Sequence, residues 1–197
     1  CNEVIKYAPN AQGDATTLAR YANEAKALRA FGYYELVTTF GGVPLLTEPM
    51  APSQVLATPR ASADEVWTQI ISDCTDAEAL PAKGQYSADE QYHVTRGFAK
   101  AMLAKTYMFR QDYANAEKVL HEIIEVDHDY ALLPDYGLNW TPAYENSSES
   151  VFEIPNKMDP NNIRATVSMC PPRTSTTLSM STIPGRPMCS PRPETTT

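Results

Sequence analysis

Between Thr16 and Pro44 the chain spells a long helix with a hard stop. Leu18, Tyr21, Ala22, Ala25, Leu28, Phe31 and Gly32 recur at spacings of three and four, the period of one helix face. Asp14 and Thr16 each offer a side-chain oxygen to the unpaired amides of the first turn, so either can serve as N-cap. Gly41 and Gly42 can adopt the positive φ that closes a helix, and Pro44 cannot continue one. The small residues of the stripe, Ala22, Ala25 and Gly32, would let a second helix approach closely. Such a helix must bury one side, and that requires partners further along the chain.

Those partners are legible. Residues 43–60, rich in Pro and small side chains, read as an extended loop. Ser62 and Glu65 then have the spacing of a capping box, with Asp64 and Glu65 at the positive end of the helix dipole. The core face of this helix is Val66, Trp67, Ile70, Ile71, Cys74, Ala77 and Leu80, and Pro81 ends it. Trp67 sits inside that stripe and reads as core. After a polar connector over 83–93, two further helices follow at about 95–110 and 113–126. Only Gln111-Asp112 separates them, so they pack antiparallel as a hairpin.

The hairpin resembles a single tetratricopeptide unit. Leu103, Ala104, Tyr107, Ala116 and Leu120 fall where that repeat wants large, small, aromatic, small and large residues. It departs from the pattern at Lys100, where a Trp is usual, and at His128, where a Pro is usual. A lone repeat cannot bury its own face, so the two earlier helices are expected to supply its neighbours.

Charge and composition exclude several function classes. With 16 Lys and Arg against 24 Asp and Glu the net charge is −8, and no basic cluster is present to neutralise phosphates, so a nucleic-acid partner is not expected. No apolar run approaches the ~20 residues that span a bilayer. The four cysteines, Cys1, Cys74, Cys170 and Cys189, have no zinc or redox spacing, and Cys74 reads as a small buried hydrophobe. His121 and His128 lie among Glu122, Glu125, Asp127 and Asp129, a grouping better explained by a solvated helix end than by a metal site. No Gly-x-Ser-x-Gly elbow, phosphate loop, His-Glu-x-x-His motif or credible acid/base pair is present, so no catalytic residue, metal or cofactor is assigned.

The most suggestive polar surface follows the hairpin. Tyr136, Asn139, Trp140 and Tyr144 fall within an eleven-residue loop that mixes flat aromatic faces with amides and acids, the composition of a sugar-binding surface. The alternative, which composition alone favours, is that Tyr136, Trp140 and Tyr144 cap the hydrophobic edge of the hairpin. The alternation in Ser150-Val151-Phe152-Glu153-Ile154 reads as a short strand. From Arg164 onward the chain has no aromatic and one acid, Glu194, and more than half of it is Ser, Thr and Pro. Residues 155–197 are therefore expected to be a disordered tail, or the product of a reading-frame error.

Several of these stretches together resemble the SusD/RagB-like family of outer-membrane nutrient-uptake lipoproteins of Bacteroidota-type bacteria. The run from Leu28 through Gly41-Gly42-Val43-Pro44-Leu45 carries the resemblance first. Arg60, Glu65-Val66, Asp73, Leu80-Pro81, the hairpin, and the phrase Asn146-Ser147-Ser148-Glu149-Ser150-Val151-Phe152-Glu153-Ile154 extend it over about 16–154. The resemblance implies an all-α, tetratricopeptide-like domain over 1–154 whose N-terminal part is missing. It implies a glycan (or peptide) ligand captured outside the cell, and delivery to a SusC-like TonB-dependent transporter. A surface location on the outer membrane is implied too, through a lipid anchor not present in this fragment, and with no enzymatic role. Much of the family's glycan site lies before and after the matched part. Cys1 itself has two readings, a lipid-bearing cysteine or, as Asn2-Glu3-Val4-Ile5 suggests by its helix-like text, an interior cysteine of a longer chain. Two rival functions stand beside capture: a helical-repeat scaffold for a protein partner, and a glycan-processing enzyme.

Overall fold

A computed structural model of the chain describes residues 1–154; the Ser/Thr/Pro-rich stretch and the expectations attached to it lie outside the described residues. Six α-helices form in this part: α1 (Asn2–Tyr7), α2 (Ala15–Phe40), α3 (Pro52–Ala57), α4 (Ala63–Ala77), α5 (Arg96–Phe109) and α6 (Tyr113–His121). No strand occurs among the described residues, which settles the fold class as all-α. The expected strand at 150–154 does not form. A strand needs a neighbouring edge to pair with, and residues 151–154 instead are irregular, with Phe152 packed on the core.

The helix ends follow local chemistry. Asp14, rather than Thr16, caps α2 by accepting the Thr17 N–H at 2.8 Å. Gly41 closes α2 with φ 70°, a left-handed value that Gly takes without steric cost. Gly42 is required for a different reason: a Cβ there would lie 2.2 Å from the Ala61 carbonyl oxygen. Arg60 completes the stop, its Nε and Nη2 donating to the Gly42 carbonyl and Nη2 also to that of Phe40. The chain is thereby folded back so that Ser62, the cap of α4, starts beside the end of α2, and the Ser62–Glu65 capping box is present.

α2 packs against both α4 and α5, and α5 against α6. The core joins Ala27, Ala30, Tyr34 and Val37 of α2 to Val66, Ile70, Cys74 and Ala77 of α4 and to Phe98, Met102 and Leu103 of α5. The expected stripe is met in part: Ala22 and Ala25 are buried and Phe31 packs on the core, but the buried face is turned from its other members. Tyr21 and Leu28 are exposed, and Gly32 faces open space, with nothing within 4 Å of where a Cβ would stand. Small alanines sit at the centre of the helix contacts, where they allow close approach, and the bulkier residues straddle its edge. Trp67 is half-buried, edge-on to Tyr34 with ring centroids 5.8 Å apart.

One other expectation is corrected. The loop at 43–60 contains the short helix α3, begun by Pro52 and by Gln54 reaching back to the Ala51 N–H at 3.0 Å. The second hairpin helix covers the span expected for it: α6 continues beyond His121 as a π-helical stretch, Glu122–Asp127, and ends at His128 with φ 52°. The departure at Lys100 also has a structural reason. Its buried ammonium reaches Asp127 at 2.8 Å and Glu122 at 3.2 Å, so a charged tie holds the two hairpin helices where the repeat would use a Trp.

Candidate functional site

The loop after the hairpin begins at Tyr130, which reaches back to α5. Gly97 makes room for it: a Cβ at that position would lie 2.2 Å from the Tyr130 hydroxyl oxygen. The Tyr130 and Thr95 hydroxyls are 3.0 Å apart, and burial pushes the phenol's pKa up. Lys83 crosses from the connector, stacks its ammonium over the Tyr130 ring at 5.4 Å and donates to the Ser147 carbonyl at 2.5 Å and to that of Ser150. Burial lowers the Lys83 pKa. The start and the end of the loop are therefore both anchored on the helical body.

Within these anchors two acids hold the backbone. Glu149 accepts the Leu133 N–H at 2.9 Å and a side-chain hydrogen bond from Asn139, and these bonds keep its carboxyl below the ordinary carboxylate pKa, the backbone bond foremost. Glu153 accepts the Asn146 N–H at 2.9 Å. Asp135 caps the turn Tyr136–Trp140 by accepting the Gly137 N–H at 2.8 Å. A second short turn, Pro142–Tyr144, follows.

The four candidate ligand residues are displayed on these two turns. Tyr136 and Trp140 are 73% and 75% exposed and stand edge to face, with ring centroids 6.2 Å apart and planes at 71°. Tyr144 is also exposed. Asn139 lies between the two rings in sequence, its side chain tied to Glu149. The rings of Tyr136 and Trp140 leave most of their surface to solvent instead of closing over the hairpin. Such a paired ring surface can stack on the C–H face of a sugar, while its fixed neighbours offer hydrogen bonds.

Sequence patterns find the aromatic residues and miss what holds them. Glu153 reads as part of a strand-like alternation and Glu149 only as part of a family-like phrase, yet both turn onto loop amides. Lys83 reads as part of a plain polar connector. That connector is in fact tied to α2: His93 Nδ1 lies 2.9 Å from Glu24 Oε2, and Arg20 pairs with Glu90 at 2.6 Å. The acids grouped with His128 are likewise paired with cations, Asp127 and Asp129 with Arg96 and Asp127 with Lys100, and His121 and His128 are exposed. Among the described residues no helix is long and apolar enough to cross a membrane.

Comparison with known proteins brings these features together. The SusD-like family model described as starch-binding and associating with the outer membrane matches residues 3–108. SusD-like protein P38 of Formosa agariphila is 33% identical over 106 residues, which is 53% of this chain and 20% of that protein. A solved laminarin-binding SusD-like protein superposes with a TM-score of 0.70 at 33% identity, covering 77% of this chain and 34% of its own. Surface glycan-binding protein A of Bacteroides thetaiotaomicron, in complex with laminarihexaose, gives a TM-score of 0.63 at 27% identity over 77% of this chain and 32% of its own. The chain thus spans about a fifth of the length of that sequence relative and about a third of each structure.

Proposed function

The chain belongs to the SusD-like family of starch-binding, outer-membrane-associated proteins, and from that premise we propose that it is part of a non-catalytic glycan-capture protein. It binds a polysaccharide or oligosaccharide at the outer surface of the cell and passes it to a SusC-like TonB-dependent transporter. A lipid anchor holds the protein at the outer membrane. Tyr136 and Trp140 stack on the sugar, and Asn139 and Tyr144 bond to its hydroxyl groups. The observation that carries this reading is the exposed Tyr136–Trp140 ring pair on a loop fixed by Glu149 and Glu153. A rigid, preorganised platform binds without first having to lose the entropy of ordering. The laminarin named for one structural relative and the laminarihexaose named for another make a β-glucan oligosaccharide the first ligand to try. Calorimetric titration with laminarihexaose tests the reading: binding that weakens in Trp140→Ala supports it, and depletion of the sugar into shorter products would favour the enzyme rival instead.

A second reading, a helical scaffold for a protein partner, is favoured by one surface. Met108, Tyr113, Leu120 and Ile124 leave an apolar groove open on the hairpin. Co-purification with a large β-barrel from outer membranes supports capture; recovery with cytoplasmic partners alone supports the scaffold.

A further inference from the structure

A cavity of about 260 Å³ lies between the connector at 83–95 and the segment at 146–153, outside the turns that display Tyr136 and Trp140. We propose that it is a second saccharide subsite that takes one neutral pyranose ring. The choice of ligand class rests on the glycan-capture reading; the cavity itself does not.

Both walls are held in place. On the connector side the Tyr86 hydroxyl donates to the Val94 carbonyl at 2.7 Å, and the Tyr86 ring lies beside that of His93 with centroids 5.6 Å apart. His93 is in turn tied to Glu24 of α2 at 2.9 Å. On the other side Phe152 packs on Phe98 of the core at 4.6 Å, and Lys83 holds the Ser147 and Ser150 carbonyls. Asn146 bridges the two, its amide donating to the Gln91 carbonyl at 3.2 Å. The hollow is therefore preformed by cross-links to the helices on each side.

Its lining suits a sugar more than an ion or an apolar ligand. Tyr86, Tyr92 and His93 supply ring faces for the C–H side of a pyranose. The Gln91 side-chain amide and the Tyr92 hydroxyl have no hydrogen-bond partner among the described residues and are free to bond to sugar hydroxyls, and Glu153 adds a carboxylate. Lys83, the one cation of the lining among the described residues, is engaged by carbonyls, so no free positive charge awaits an anionic ligand there. The volume falls below the ~300–1,000 Å³ of pockets that hold drug-sized ligands, so one ring fits where a chain of several does not.

The test uses the full 197-residue chain, labelled with ¹⁵N, and glucose, galactose, mannose and xylose added singly. The inference expects at least one of them to move backbone amides of residues 84–93 and 146–153. Ser87→Trp, at an exposed lining position, fills the mouth and should abolish those shifts, and Gln91→Ala should weaken the binding severalfold. Trp140→Ala should leave the shifts intact. Both cavity variants are compared at matched thermal stability. Shifts confined to 136–144, or shifts at the cavity that persist in Ser87→Trp, overturn the subsite and leave glycan capture standing. No shift with any monosaccharide also overturns it, while a separate titration with laminarihexaose decides whether capture falls as well.

Discussion

Arg29 of α2 and Asp73 of α4 form a two-pronged ion pair, Nε to Oδ2 at 2.8 Å and Nη2 to Oδ1 at 2.7 Å, with side chains only 9% and 2% exposed. The same guanidinium donates to the Asn2 side chain and the Thr47 carbonyl, each at 3.0 Å, and Gln69 donates to Asp73 at 3.0 Å. One charge pair thus ties α1, α2, the loop after α2 and α4 together. The hydrogen bonds to Asp73, foremost, hold the Arg29 pKa up against its burial.

Asp73→Ala strands the Arg29 charge among half-buried groups. Breaking such a pair from one side costs about 3–5 kcal/mol, and urea unfolding of the full chain should show a lower stability by that amount. A loss under about 1 kcal/mol would mean that Arg29 relaxes to water and that the tie is dispensable.

Gly97→Ala should displace the Tyr130 ring and destabilise by about 1–3 kcal/mol, the usual cost of overpacking. In a Tyr130→Ala background the same substitution meets no ring, so its cost should largely vanish in a double-mutant cycle. Equal costs in both backgrounds would contradict the contact.

Much of the fold was legible because its signals are local. The Asp14 cap and the Ser62–Glu65 box depend on residues three apart, and a spacing of three is visible in any sequence. The face of α2 was legible only in part: Ala22 and Ala25 are buried as expected, but a periodicity weighted toward large residues favours Tyr21 and Leu28, whereas burial is deepest at Ala27 and Ala30. Short α3 escapes notice because Ala51 at its start has no side-chain oxygen, and the only side-chain cap is Gln54 accepting the Ala51 N–H. The alternation at 150–154 imitates a strand although Glu153 serves the Asn146 amide and Phe152 the core, and nothing local distinguishes the two uses. For the candidate site, the composition of 136–146 exposed the aromatic residues, while a main clamp is remote in sequence, as Lys83 is from Ser147.

Acid should release the loop before it unfolds the helices. The folded pKa of Glu149 lies below its ordinary 4.5, so its contribution is present above that value and is lost as pH falls through the lower, folded one. The protection of the Leu133 amide against hydrogen exchange, its intrinsic over its observed rate, should hold from about pH 6 downward and fall only below about pH 4.5. Glu149→Gln, whose amide oxygen still accepts a hydrogen bond but does not titrate, should remove that pH dependence. Protection that falls already near pH 6 would point to another group.

Cys74 should be chemically silent in the folded chain. Burial pushes its thiol up to about 12, so almost no thiolate exists at about pH 8, and the side chain is fully enclosed. Peptide mapping after iodoacetamide should find Cys74 unmodified without denaturant and modified in urea, while exposed Cys1 reacts in both. Modification of Cys74 under native conditions would show that α2, α4 and α5 open locally.

Glycan capture by this loop rests most directly on Trp140, whose ring is displayed on the Tyr136–Trp140 turn, set against Trp67, which is packed against Tyr34 and Phe109. Titration of the chain with laminarihexaose, read by tryptophan fluorescence in the parent and in Trp140→Phe, isolates that ring. The expected result is a saturable change that belongs to Trp140 and disappears in the variant, with affinity reduced in Trp140→Ala. Binding with equal affinity in parent and Trp140→Ala, and with no change at Trp140, would contradict the claim that this loop meets the glycan.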